Sequence, residues 1–292
     1  MKNQFTKTVE SLFRKDPRLV LLLGDIGVYG FRNTIKKYPT RAFNIGILEQ
    51  STIGVAAGLA LGGYIPVIHT IAPFLVERAL EQIKIDFGYQ KLNGNLVSIG
   101  ASYDYSALGC THHCPGDVGI MSNVPGSQII VPGNAHDFNT LFRKIYMKGL
   151  NYFRLSEKTH TETVGVNFGK ANVIKKGGLA TIVAVGPTLS DVIEATKNLD
   201  VTILYYTTIQ PFDFTTLKKN LKNNKIVTIE PYYKGVIASK IIEKMGDISL
   251  SIKTIGVPHE FIHQYGQVSE HDKYCGLDVE GIRRTIQGFL NE

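Results

Sequence analysis

The sequence predicts an α/β protein carrying two successive, mostly parallel sheets. Two observations lead there. Short strand-length runs such as Arg18–Asp25, "RLVLLLGD", are apolar throughout instead of alternating, as strands buried on both faces are. These runs take turns with segments of helical period and are bounded by Gly and Pro, which is the pattern of βαβ units.

The elements follow in order. "RLVLLLGD" reads as a buried strand, and "ILEQSTIGVAAGLALGG" as a helix that starts near Ile47 and stops at Gly62 and Gly63. "YIPVIHT" is a strand, and "FLVERALEQIKIDFGYQ" is an amphipathic helix. "NLVSIGA", "SQIIVPG" and "NYFRLSE" are further strands, with helix-like "NAHDFNTLFRKIYMKG" before the last. Residues 157–178 are polar and without period. A second unit then runs "LATIVAVG", a helix at "TLSDVIEATKNL", "VTILYYT", a helix after "QPFD", "KIVTIE", a helix at "GVIASKIIEKM", "SIKTIGV" and a last helix "LDVEGIRRTIQGFL". The expected division is a first domain over 1–165, a linker over 166–177 and a smaller domain over 178–292. A chain of 292 residues is long enough for two cores of that size.

Composition narrows the classes of function. A formal net charge of +7 is spread over single Lys and Arg residues and pairs such as Lys36-Lys37, with no basic run and no nucleic-acid-binding signature, so no nucleic acid is expected. The apolar runs are strand-sized and too short to span a bilayer. The N-terminus "MKNQFTKTVESLFRKD" lacks the apolar core of a leader peptide. Three cysteines, an odd and low number, argue against a disulfide framework and for a reducing, cytoplasmic setting.

In open α/β sheets, ligands gather at the carboxyl ends of strands. The polar candidates there are Asp25 beside Ile26, Glu49 at a helix start, His69 and Thr70, residues 101–104 and the loop 103–117. Glu49 precedes a helix of small residues (Gly54, Ala56, Ala57, Gly58, Ala60), whose face allows close packing within one chain or across two. On spacing alone it reads as a helix-N-terminal glutamate favoured by the dipole. "LGCTHHC" over 108–114 can be set beside zinc ligands. Structural zinc sites, however, pair two cysteines with a second pair elsewhere, and only Cys275 remains. Neighbouring residues also point in different directions.

"FNIGILEQSTIGVAAGLALGGYIPVIHTIAPFLVERALEQIK", together with "YQKLNGNLVSIGA", "THH", "VPGNAHD" and "YFRLSE", resembles the pyrimidine-binding domain of transketolases. The likeness is greatest to the C-terminal subunit of the split bacterial type. "ATIVAVGPTLSDVIEA", "TTIQPFD", "VTIEPYYKGVIASKI" and "LDVEGIRRTI" continue it, in the same order, into the transketolase C-terminal domain. 1-Deoxyxylulose-5-phosphate synthases and the beta subunits of 2-oxo acid dehydrogenases share that domain pair and are the alternatives within enzymes. A non-catalytic scaffold partner and a metal-binding module are the alternatives outside them.

The resemblance implies thiamine diphosphate and the transfer of a two-carbon ketol unit from a ketose to an aldehyde. It implies that Glu49 bonds the aminopyrimidine ring, that Phe74 stacks on it and that Ile71 replaces a second aromatic. Asp25 and Ile26 fall at the strand end beneath the cofactor. Arg78 and Gln82 match positions often Arg and Gln in the split enzymes. His112 takes the place of the histidine that reaches the donor oxygen, with His113 beside it and His69 and Arg154 also assigned to the substrate. The family's Gly-Asp-Gly and downstream Asn, which hold diphosphate and metal, are absent. A partner subunit is therefore expected to bring the diphosphate and Mg²⁺ or Ca²⁺, in a heterotetramer of two copies of each chain acting on small sugars. Three departures stand out: Leu108 replaces the family Asp, Gly100 a histidine, and Glu157 a phosphate-binding arginine. They imply an altered, less phosphorylated or differently hydroxylated substrate.

Overall fold

The computed structural model describes residues 1–291. In chain order the elements are α1 (Lys2–Phe13), β1 (Leu19–Leu23), α2 (Val28–Lys37), β2 (Ala42–Asn44), α3 (Glu49–Leu61), β3 (Ile65–Ile71), α4 (Leu80–Gln82), β4 (Gly94–Ile99), α5 (Asp117–Ser122), β5 (Ser127–Ile130), α6 (Ala135–Ile145) and β6 (Leu150–Arg154). They continue as β7 (Asn172–Lys175), β8 (Thr181–Val185), α7 (Leu189–Ala195), β9 (Thr202–Tyr206), β10 (Thr208–Gln210), α8 (Phe214–Asn220), β11 (Lys225–Tyr233), α9 (Val236–Met245), β12 (Ser251–Val257), α10 (Val268–Cys275) and α11 (Val279–Asn291).

The first sheet has the order β10-β5-β6-β4-β3-β1-β2 and the second β12-β11-β8-β9-β7. Each is parallel but for one antiparallel edge, β10 against β5 and β7 against β9. In β1, Leu19, Leu21 and Leu23 face one apolar layer while Val20 and Leu22 face the other. That two-sided burial explains why the run carries no alternation. Phe5, Val9, Leu12 and Phe13 of α1 close one face together with α6, and Ile53, Ala56 and Ala57 of α3 close the other.

Several elements differ from the expectation. No helix was expected at α1, which is amphipathic but has its apolar residues diluted by lysine and threonine. The expected linker over 166–177 carries β7, which edges the second sheet. β10 lies in the second half of the chain yet completes the first sheet, with Val131 N–H donating to the Thr207 carbonyl at 2.8 Å just beyond. The two halves thus share a sheet edge, and both apolar layers run through both of them.

The long helix expected over 74–90 is instead two π-helical turns, Pro73–Glu77 and Ile83–Tyr89, flanking α4. The Arg78 amide donates to the Pro73 carbonyl five residues back, at 3.1 Å. The wider turn absorbs an extra residue within the helix, a device frequent at functional sites. The parallel strands β1, β2, β3, β4 and β6 send their carboxyl ends to one edge, which gathers the loops at 24–30, 45–49, 72–78, 100–116 and 155–160.

Candidate active site

Glu49 opens α3 at that edge and is 4% exposed. Its Oε2 accepts from Arg78 Nη1 at 2.8 Å, while its Oε1 is buried with no partner. A carboxylate oxygen left bare in the interior costs about 1–3 kcal/mol or more, so this atom awaits a donor. The Arg78 guanidinium lies 4.3 Å from the centroid of the Phe74 ring, a cation–π contact that the first π-turn makes possible. Phe74 meets His112 edge-on at 5.5 Å between ring centroids, and Tyr105 meets His112 at 6.4 Å. Glu49, Arg78, Phe74, His112 and Tyr105 therefore form one contiguous wall.

Ile71 is buried at the end of β3 beneath this wall. Gly100 has φ +75°, and a Cβ there would stand 2.5 Å from the Tyr105 ring and 3.0 Å from Ile71 Cγ2. The Tyr105 ring thus fills the space where the resemblance places a histidine. Asp25, also at positive φ (60°), is exposed and locked to Asn44: its amide donates to Asn44 Oδ1 at 3.0 Å and Asn44 Nδ2 donates back to Asp25 Oδ1 at 3.0 Å. Asp25, Ile26, His69 and Tyr105 line a cavity of about 460 Å³ with residues of α1. Sequence reasoning misses both Tyr105 and Asn44. Tyr105 has only its place in a polar loop as a signal, and Asn44 only its place at a strand end.

His69 is fully buried, with Nδ1 2.7 Å from the Val97 carbonyl. A carbonyl can only accept, so Nδ1 carries the hydrogen and the unpartnered Nε2 is a lone-pair acceptor. Burial, opposed by the Val97 bond, pushes the imidazole down from 6.5 to about 4.

Two residues assigned to the substrate lie elsewhere. Arg154 is 1% exposed, and its Nε donates to Asp117 Oδ2 at 2.7 Å while Nη2 donates to Ser102 Oγ at 2.7 Å and to the Pro231 carbonyl at 3.0 Å. Every contact is internal, and one of them reaches into the second domain, so Arg154 is a structural strut. His113 also points away. The single 3₁₀ turn Cys110–His112 ends with His113 extended, so neighbouring rings diverge. His112 faces Phe74 and Tyr105, whereas buried His113 faces His271 of α10 at 5.6 Å. Leu108 is exposed at 53%, on the preceding turn.

The flanking cysteines do not close on a metal. Cys110 is exposed, and buried Cys114 lies 3.5 Å from Glu77 Oε1, with its thiol pushed up by burial. Among the described residues no group of three or more His, Cys, Asp or Glu side chains is placed to hold a metal ion. Among them, too, no helix is long and apolar enough to cross a membrane.

Comparisons with known proteins match both halves of the chain. Residues 1–161 match the family model "Transketolase, pyrimidine binding domain", and residues 169–282 match "Transketolase, C-terminal domain". The chain is 38% identical to an uncharacterized 33.6 kDa protein in the fasciation locus of Rhodococcoides fascians, over 99% of this chain and 95% of that one. It is 31% identical to an apulose-4-phosphate transketolase subunit from Actinobacillus succinogenes, over 85% of this chain and 84% of the other. Among solved structures it superposes on a split-gene transketolase described as an inactive beta4 tetramer, with a TM-score of 0.85 and 26% identity over 99% and 97% of the two chains.

Two outcomes follow from these environments. Between about pH 6.5 and 4 the unfolded chain holds a proton on His69 that the folded chain does not. Stability therefore falls as pH drops through that window, by about 3 kcal/mol from this group alone. Histidine NMR should find the His69 ring still neutral at pH 5; a protonated ring at that pH contradicts the assignment. Arg154→Met should cost about 3–5 kcal/mol in urea unfolding, because buried Asp117 loses its positive partner, and adding Asp117→Leu should recover most of the loss. An Arg154→Met protein of parent stability but weakened substrate binding would restore the substrate role.

Proposed function

The chain belongs to the transketolase family, and we propose that it is the catalytic half-site of a two-chain enzyme that moves a two-carbon ketol unit from a ketose to an aldehyde. The observation that carries this reading is the unpartnered, buried Oε1 of Glu49, set against the Phe74 face and within one wall of His112. These residues fit the aminopyrimidine half of thiamine diphosphate. An acceptor waits where a ring nitrogen would sit, an aromatic face lies beside it, and Ile71 and Ile26 supply apolar support. When bound, the cofactor supplies a carbon nucleophile for attack on a ketose carbonyl.

The chain's own residues do the rest. Arg78 fixes Oε2 of Glu49 and so leaves Oε1 to share a proton with the pyrimidine ring. Phe74, Ile71 and Tyr105 exclude water, which strengthens that shared bond. Thr111 Oγ1 holds His112 Nδ1 at 2.9 Å, leaving Nε2 to give a proton to, or take one from, a substrate oxygen. The diphosphate and its Mg²⁺ or Ca²⁺ are assigned to a partner subunit, since oxygen-ligand cations suit a diphosphate and no Gly-Asp-Gly is present here. The exposed face of α3, with Gly54, Val55 and Gly58, lies next to Glu49 and suits a close helix contact in a cytoplasmic heterotetramer of two chains of each kind.

The sugar is a non-standard one, as is the apulose 4-phosphate for which the Actinobacillus relative is named. The far end of the site is a cavity of about 70 Å³ lined by Lys2, Gly100, Tyr105, Ser156 and Glu157. Arg154 is committed to Asp117, and Glu157 stands where a phosphate would want an arginine. The end is thus shaped for a hydroxyl better than for a phosphate.

The test is co-expression with a chain carrying Gly-Asp-Gly and a downstream Asn, assayed with ketose donors, with pyruvate, and with aldehydes that do or do not carry a phosphate. Transfer from a ketose by the pair and by neither chain alone is expected, with kcat/KM about tenfold or more higher for the unphosphorylated aldehydes. A fully active single chain, or pyruvate as the sole donor, would overturn the assignment. A preference for phosphorylated aldehydes would overturn the reading of the far end alone.

A further inference from the structure

The loop that carries His112 leaves the first sheet after β4 and is fastened to the second domain along its length. Ser102 Oγ donates to the Pro231 carbonyl at 2.5 Å, and Tyr103 OH donates to Asp272 Oδ1 at 2.6 Å. Ser106 Oγ donates to the Gly266 carbonyl at 2.7 Å. Between the turns Ser106–Leu108 and Cys110–His112 the chain pivots at Gly109, with φ +76° and ψ −167°. Only glycine adopts that region readily. A Cβ at Gly109 would stand 2.6 Å from the Tyr265 ring, so this aromatic of the second domain lies directly on the pivot.

Tyr265 is 71% exposed. Burial in a core does not account for its place, and its contact with the loop backbone does. We propose that Tyr265 is a positioning residue, and that through it the second domain sets where the His112 imidazole stands. The mechanism is steric. The ring bars the Gly109 pivot from swinging toward the second domain, while the Ser106–Gly266 bond keeps the first turn from sliding. The second turn, and His112 with it, is left with one seat, edge-on to Phe74. Small displacements of an oriented group cost rate steeply, about a hundredfold for an ångström. The catalytic consequence rests on the role proposed above for His112. The clamp itself rests only on the loop.

Tyr265→Ala and Tyr265→Phe in the assembled two-chain enzyme test it, because the contact is made by the ring. In Tyr265→Ala, kcat should fall about ten- to hundredfold, with thiamine diphosphate affinity and melting temperature near those of the parent. Tyr265→Phe should restore kcat. Hydrogen exchange gives a readout that does not depend on turnover. The amides of Leu108, Gly109, His112 and His113, each bonded within the two turns, should exchange about tenfold faster in Tyr265→Ala, with β3 and β4 unchanged. Parent kcat and parent exchange in Tyr265→Ala would overturn the proposal. So would a Tyr265→Phe enzyme as impaired as Tyr265→Ala, which would assign the effect to the hydroxyl. If the unmodified pair transfers no ketol group, the functional reading fails, and the exchange data still decide whether the clamp exists.

Discussion

A carboxylate with one oxygen satisfied and the other bare is the constraint around which the rest of this molecule is arranged. Glu49 sits at the start of α3, at the edge where the parallel strands end, and is almost wholly buried. Burying a half-paired carboxylate is unfavourable unless something returns the lost interaction. Arg78, directly after the π-turn at Pro73–Glu77, returns half of it while its guanidinium lies over Phe74. The other oxygen has no protein partner, and the proposed cofactor contact would supply one.

The second domain enters through the same edge. Arg154 leaves β6 in the first sheet and ties Asp117 to the Pro231 carbonyl of β11, and β10 crosses to complete the first sheet. These contacts hold the loop 101–114 between the two domains, with His112 turned to the site and His113 turned to α10. An isolated first domain would lack both the edge strand and the second-domain contacts of the loop 101–114.

Much of this was legible in the residues and some was not. The buried strands announced themselves as unbroken apolar runs between Gly and Pro, and α3 by its small residues and its glycine stop. Glu49, Phe74 and His112 were grouped through resemblance rather than spacing, and the structure places them side by side. The π-turns were invisible because a helical period of 3.6 looks alike whether hydrogen bonds reach back four residues or five. β7 and β10 were missed because short antiparallel edges have no pattern of their own. Arg154 was misassigned because its partner Asp117 lies 37 residues away, a distance only folding closes. The divergence of His112 from His113 depends on where one turn ends, which no composition reveals.

The central claim is that the bare oxygen of Glu49 is where the cofactor's pyrimidine ring is held. Glu49→Gln keeps the shape and most of the packing but removes the carboxylate that shares the proton. In the assembled two-chain enzyme, saturated with thiamine diphosphate and ketose, turnover should fall about a hundredfold or more, with assembly intact by sedimentation. A Glu49→Gln enzyme that turns over near the parent rate would contradict the account.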